Sequence, residues 1–169
     1  YSGVTEYLAK KNGVKDSAVM MIYNKNLSVV PISTHIPVRK ISQKLNKKLI
    51  EKKIIKINNF YNKVLKKKPK IAVLGLNPHN DEFRPDSEEN KIIVPTIKKL
   101  KKDRYKVTGP FSADTIFLNN KKYMYDVIVG MYHDQVLAPF KAIYGFDAIN
   151  VTLGLKYIRI SPDHGIARD

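Results

Sequence analysis

Between residues 41 and 65, apolar side chains recur every three to five positions: Ile41, Leu45, Leu49, Ile54, Ile57, Phe60 and Val64, with Lys and Asn between them. That rhythm predicts one long helix with a single buried face. Lys66, Lys67, Lys68 and Pro69 close it, the cations suiting the negative helix end and the Pro stopping it. Ile71–Leu76 is then continuously apolar, as expected of a strand buried on both faces. Residues 77–87 are polar and Pro-containing and predict a loop. Ser87, followed by Glu88, Glu89 and Asn90, predicts a helix start with acidic residues in its first turn. Ile92, Ile93, Thr96, Ile97 and Leu100 give that helix a buried face, and Pro95 is expected near its first turns, where it costs least. Tyr105–Val107 predicts a short strand ending at Gly109 and Pro110. Residues 71–110 thus form a strand–helix–strand unit, which favours a parallel sheet with a right-handed crossover. Further strands are predicted over Leu27–Thr34, Tyr125–Tyr132, Ala148–Thr152 and Tyr157–Ile160. Thr5–Lys10 starts like a helix and Ile166–Asp169 like the beginning of another, so the chain is expected to be one continuous portion, residues 1–169, of a longer subunit.

Composition narrows the class. The chain has 169 residues with 43% hydrophobic side chains, enough for a buried core. No apolar run approaches transmembrane length and no charged-then-apolar leader opens it, so a soluble, cytoplasmic protein without membrane contact is expected. Zero Cys excludes disulfides and thiolate metal sites. The formal net charge is +16, which raises nucleic-acid binding as a reading. Nearly all the cations are Lys, clustered in 44–53, 63–70 and 98–106, while Arg, the residue suited to bidentate base and phosphate recognition, is scarce. Solvated helix faces account for such a pattern.

The residues that change the picture are histidines. His35, His79 and His133 each follow an apolar run that reads as a strand, and His164 follows Tyr157–Asp163 in the same way. Open α/β sheets place ligands at the C-terminal ends of strands, and imidazole is the commonest metal ligand. Asp134 stands beside His133 as a partner that could orient the imidazole or move a proton. Asp114 lies on a loop just past a strand, where it suits a metal, a hydroxyl or a helix N-cap. Lys141, Asn150 and Arg159 are polar groups among apolar neighbours, of the kind that hold phosphate or carboxylate. There is no G-x-G-x-x-G fingerprint, no G-x-x-x-x-G-K-[ST] loop and no G-x-S-x-G elbow.

Read together, Gly75–His79, Gly109–Thr115, Met131–Gln135, Asn150–Leu155 and Asp163–Gly165 closely resemble the 4-hydroxythreonine-4-phosphate dehydrogenase family of the pyridoxine pathway. Ser33–Pro37 and Gly3–Leu8 match its pattern too, and the resemblance runs over essentially the whole chain. It implies an α/β fold like that of the isocitrate and isopropylmalate dehydrogenases, a mostly parallel sheet flanked by helices, with this chain a partial stretch of a two-domain subunit. It implies a homodimer with active sites at the subunit interface. Its metal ligands map onto His35, His79 and His133, contributed across the dimer, and leave His164 out. Its substrate contacts map onto Thr5, Lys141, Asn150 and Arg159, with Asp114 lining the site and Asp114 or Lys141 as proton carriers. The implied reaction is oxidation of 4-phosphohydroxy-L-threonine at C3 with NAD or NADP, followed by decarboxylation to 3-amino-2-oxopropyl phosphate. A divalent metal serves both steps: zinc first for a three-histidine site, with magnesium or cobalt as alternatives. The cofactor-reading residues carry no recognisable motif.

Two departures stand out. The family's His before Thr5 is Val4 here, and its small-residue, Gly-rich loop after His79 is Asn80–Pro85, which predicts a different loop shape. Val4 keeps open a related activity on four-carbon sugar-acid phosphates of the threonate or erythronate type. A basic nucleic-acid-binding module built on the Lys-rich helix is the reading from another class, and the lack of Arg-rich or aromatic-interleaved stretches counts against it.

Overall fold

The computed structural model describes Tyr7, Lys11, Gly13 and residues 18–163. Seven strands form one sheet: β1 (Val19–Tyr23), β2 (Ser28–Ser33), β3 (Ile71–Leu74), β4 (Val107–Phe111), β5 (Val127–Tyr132), β6 (Ile149–Leu153) and β7 (Arg159–Pro162). Their spatial order is β4-β3-β5-β2-β1-β6-β7. The helices are α1 (Ile41–Lys44), α2 (Lys47–Lys63), α3 (Val94–Lys102), α4 (Ala113–Tyr123) and α5 (His133–Tyr144).

The expected parallel core is present: β2, β5, β3 and β4 pair in parallel. The other half of the sheet is not parallel. β1 runs antiparallel to both β2 and β6, and β7 antiparallel to β6. The sheet is therefore mixed. Short connections allow this, since β1–β2 and β6–β7 are hairpins rather than helical crossovers.

Alternation along the strands sends successive side chains to opposite faces. Met21, Val30, Val73 and Val129 face α2 and α3, packing on Ile54, Ile57 and Ile97. Met20, Val29, Ala72 and Ile128 face α4 and α5, packing on Ile116, Val136 and Phe140. Strands buried on both faces explain why their sequences read as unbroken apolar runs.

Several expected boundaries move. The helix predicted over 41–65 is interrupted at Leu45 and Asn46: α1 ends, and Asn46 caps α2, its side chain accepting from the Leu49 amide at 2.9 Å. An Asn side chain that bonds the backbone two or three residues on favours a fresh start over continuation. The helix at Ser87 begins as expected, with Ser87 Oγ accepting from the Asn90 amide at 3.1 Å. Pro95 is the second residue of α3, in its first turn as expected, and a widened π turn over Glu89–Ile93 precedes it; such a turn relieves a ladder that Pro cannot complete. β4 lies over Gly109 and Pro110 rather than stopping there. At Gly109 φ is 140°, and a Cβ would lie 2.2 Å from the Val73 carbonyl oxygen, so only Gly permits this approach of β4 to β3. The expected N-terminal helix at Thr5–Lys10, and the C-terminal start at Ile166–Asp169, lie outside the described residues apart from Tyr7. No helix among the described residues is long and apolar enough to cross a membrane.

Candidate active site

Because β2, β5 and β3 are adjacent and parallel, their C-terminal ends open on one edge of the sheet. His35 lies just past β2, His133 directly follows β5, and His79 lies in the turn after β3. Asp114, exposed in the first turn of α4, lies past β4 on the same edge. The strand-end placement expected from the sequence is thus realised for all three histidines.

His35 and His133 come together, with ring centroids 6.3 Å apart and planes at 38°. A zinc–nitrogen bond of about 2 Å puts each ring centre about 3 Å from a shared ion. Tetrahedral ligands of one ion would have ring centres about 5 Å apart, so at 6.3 Å the two imidazoles are neighbours that need a small approach to share a cation. His133 Nδ1 lies 2.6 Å from Asp134 Oδ1. Held that way, Nδ1 carries the proton and Nε2 presents its lone pair. A cavity of about 200 Å³ opens beside the pair, lined by Thr34, His35, Tyr132 and His133. His79 does not complete the set: among the described residues of one chain, no group of three His, Cys, Asp or Glu could hold a metal.

The turn carrying His79 is unusual. His79, Asn80, Asp81, Glu82 and Phe83 all have φ between 48° and 57°, a left-handed run at about 1–2 kcal/mol per non-Gly residue. This left-handed run covers the first four residues of the Asn80–Pro85 segment. Its anchors are specific. Asp81 pairs with Arg84, and the Asn80 side chain is buried over Gly75, where a Cβ would lie 2.1 Å from Asn80 Oδ1. Glu89, fully buried in the π turn, accepts from the Leu76 and Asn77 amides at 2.7 and 2.8 Å, and from Asn77 Nδ2 at 3.0 Å. Gln135 ties this segment to the next strand: its Nε2 donates to the Gly75 carbonyl at 2.8 Å, and its Oε1 accepts from the Met131 amide at 2.7 Å. The segments bearing His79 and His133 are therefore cross-linked through one buried side chain.

Glu89 does not stand out as a site residue in the sequence, and Gln135 enters there only as the last member of the Met131–Gln135 motif, without a role of its own. The available signal was Gln135 among the apolar residues of a helix face, opposite Gly130, where a Cβ would lie 2.9 Å from Gln135 Oε1.

The groups expected to bind substrate are elsewhere. Asn150 pairs with Ile22, which pairs with Val29, so it lies level with the start of β2, near the opposite edge. Asn150 Oδ1 is buried without a hydrogen bond. Lys141, in the last turn of α5, donates to the Asp163 carbonyl at 3.2 Å and lies 3.8 Å from Asp163 Oδ1. Arg159 begins β7 opposite Thr152, with Nη1 3.4 Å from Thr152 Oγ1. One chain does not bring these three to the histidines. Thr5 and His164 lie outside the described residues.

The profile of the pyridoxal phosphate biosynthetic protein PdxA family matches residues 1–169. A 4-hydroxythreonine-4-phosphate dehydrogenase from Sulfurihydrogenibium sp. (strain YO3AOP1) is 44% identical over 171 residues, 100% of this chain and 52% of the relative. A D-threonate 4-phosphate dehydrogenase from Pectobacterium atrosepticum is 41% identical over 170 residues, again 52% of its length. The crystal structure of a 4-hydroxythreonine-4-phosphate dehydrogenase from Klebsiella pneumoniae superposes with a TM-score of 0.86 at 39% identity, covering 99% of this chain and 51% of that one. The chain spans about half the length of the curated relatives it matches.

Proposed function

This chain belongs to the family of pyridoxal phosphate biosynthetic protein PdxA, and we propose that it forms about half of a metal- and NAD(P)-dependent dehydrogenase acting on 4-phosphohydroxy-L-threonine. The reaction is oxidation at C3 with subsequent decarboxylation, on an isocitrate-dehydrogenase-like subunit. The observation that carries the reading is the facing pair His35 and His133, 6.3 Å apart on the edge that also presents His79.

The donor chemistry of the three histidines suits a divalent cation, with His79 brought in from a second copy. Three neutral imidazoles leave its charge undiminished and leave positions for substrate oxygens. When bound, such an ion supplies Lewis acidity at the hydroxyl and later at the ketone. Asp134 keeps His133 in the tautomer that presents Nε2. Gln135 and Glu89 fix the two strand ends. Lys141 and Arg159 supply cations for the substrate's phosphate or carboxylate, and Asn150, with its buried free acceptor, offers a partner for an ammonium or hydroxyl. Asp114 lines the histidine edge as a proton acceptor.

The separation within one chain gives the assembly its logic. Lys141 and Asn150 lie near one edge, the histidines at the other, and His79 stands outside the His35–His133 pair. A site that uses all of them draws on two copies, which supports a homodimer with shared active sites. The exposed apolar side chains Phe146 before β6, Ile158 before β7 and Ile160 within β7 give such a partner a surface to cover.

The test is NADH or NADPH formation by the full-length enzyme with 4-phosphohydroxythreonine. Chelation and His79→Ala are expected to abolish turnover. Undiminished activity after complete metal removal would refute the metal role. A second reading, oxidation of a threonate-type 4-phosphate, is favoured by Val4 and by the 41% identity to a D-threonate 4-phosphate dehydrogenase. Competition between the two substrates in one assay separates them.

A further inference from the structure

At the N-terminal edge of the parallel strands, opposite the histidines, a cavity of about 950 Å³ opens between the strand-start loops and the ends of α4 and α5. We propose that it is a second ligand site, for a polyphosphate carrying a planar aromatic body, of the nucleoside di- or triphosphate class. Five lysines line it: Lys25 before β2, Lys67, Lys68 and Lys70 before β3, and Lys106 before β4. None lies on a helix, so solvated helix faces do not account for them.

The local negative charge is too small to occupy them. Asp126 is the one carboxylate of the lining. Its Oδ1 lies 2.5 Å from Lys67 Nζ and its Oδ2 accepts from the Lys70 amide at 2.8 Å. The C-termini of α2, α3, α4 and α5 all lead to this edge, together worth about two negative charges. Four further ammonium groups stand against that. Di- and triphosphates carry a matching charge, and lysines bind phosphate as mobile point charges.

The opposite wall supplies a different chemistry. Phe117, Tyr125 and Tyr144 line it with Met124 and Ile143. Tyr125 packs on Phe111 at 5.5 Å and Tyr144 on Phe140 at 4.9 Å, which holds two of the rings in place. Aromatic faces of this kind accept a planar base by stacking. The volume suits a small molecule. Strands of up to six residues separate this cavity from the histidine edge, about 20 Å at 3.3 Å per residue, so a ligand here cannot exchange hydride with a substrate at the histidines of the same chain.

The experiment is calorimetric titration of the full-length protein with ATP, tripolyphosphate, adenosine and a single-stranded oligonucleotide, at low and high salt. ATP is expected to bind saturably, to weaken with salt, and to exceed both tripolyphosphate and adenosine. The Lys68→Glu/Lys106→Glu double variant is expected to lose roughly tenfold or more in affinity while the dehydrogenase activity stays unchanged; both residues are exposed, so folding is preserved. Absence of saturable ATP binding, or equal binding by the variant, would overturn the proposal. Tripolyphosphate binding as tightly as ATP would refute the aromatic subsite, and preferential oligonucleotide binding would assign the lysines to nucleic acid instead.

Discussion

Replacing Gln135 by Leu removes a buried side chain that joins the segments carrying His79 and His133. Gln135 is buried, and both its partners are buried backbone groups: the Met131 amide at 2.7 Å and the Gly75 carbonyl at 2.8 Å. Each such group left without a partner costs about 1–3 kcal/mol. A Leu of similar size recovers about 1 kcal/mol through added apolar burial, so the net loss is about 1–5 kcal/mol. That is a large part of a domain's stability. Urea unfolding measures it; with a slope of about 2 kcal/mol/M, the midpoint falls by about 0.5–2.5 M. Gln135→Glu is the sharper variant. Its carboxylate still accepts from Met131 but opposes the Gly75 carbonyl, so its pKa rises in the folded state. Stability relative to wild type is therefore lowest above that raised pKa and recovers as pH falls through it, when the protonated carboxyl donates to Gly75. A Leu variant within about 0.5 kcal/mol of wild type, or a Glu variant with no pH dependence, would refute the clamp.

Three further outcomes follow from the same geometry. Asp134→Asn removes the carboxylate 2.6 Å from His133 Nδ1 and is expected to weaken zinc binding by about 10–100-fold, read by competition with a chromophoric chelator. Glu82→Gly, at φ 49° in the left-handed turn, is expected to raise stability by up to about 1 kcal/mol, since Gly adopts that conformation without steric cost; a lower urea midpoint would contradict it. Tyr61, buried with its hydroxyl 2.9 Å from Ser28 Oγ, has its pKa raised well above the tyrosine range, chiefly by burial. That stabilisation is complete below about pH 10 and is lost as pH rises toward the folded value, because the unfolded chain ionises first. Tyr61→Phe is therefore expected to show a flatter alkaline decline than wild type.

Much of the fold was legible because buried strands print themselves as apolar runs. Ile71–Leu74 and Val127–Tyr132 lie inside the stretches that the pattern marks. The break at Asn46 was not, because helical periodicity carries across an N-cap that changes only two residues. The strand Val19–Tyr23 escaped notice, for its VMMIY run lacks a flanking turn signal as strong as Gly or Pro. The histidines were legible as strand-end residues, and their shared edge follows from parallel pairing. The residues that hold their loops were not. Glu89 reads as an ordinary first-turn acid, and only the fold turns it inward beneath Leu76 and Asn77.

Strand direction decides what a motif can reach. Asn150 and Arg159 stand in motifs that follow the histidines in sequence, yet Asn150 sits at the beginning of β6, level with the beginning of β2, while His35 sits beyond the end of β2. Since β6 runs in the same direction as β2, no adjustment of side-chain rotamers brings Asn150 to that edge; the intervening strand length, about 13–17 Å, exceeds any side chain's reach. Motif proximity along the chain therefore cannot be converted into one site within one copy. The same constraint that splits the expected residues predicts how they reunite. On the proposed shared site, a second subunit would present its histidine edge to the Lys141–Asn150–Arg159 face of the first, so a mutation on β6–β7 is expected to lower activity and dimerisation together. Substituting Ile158 and Ile160 by Lys tests this, with sedimentation and turnover read on the same full-length protein. Full activity in a monomeric variant would show that the separated residues never needed to meet.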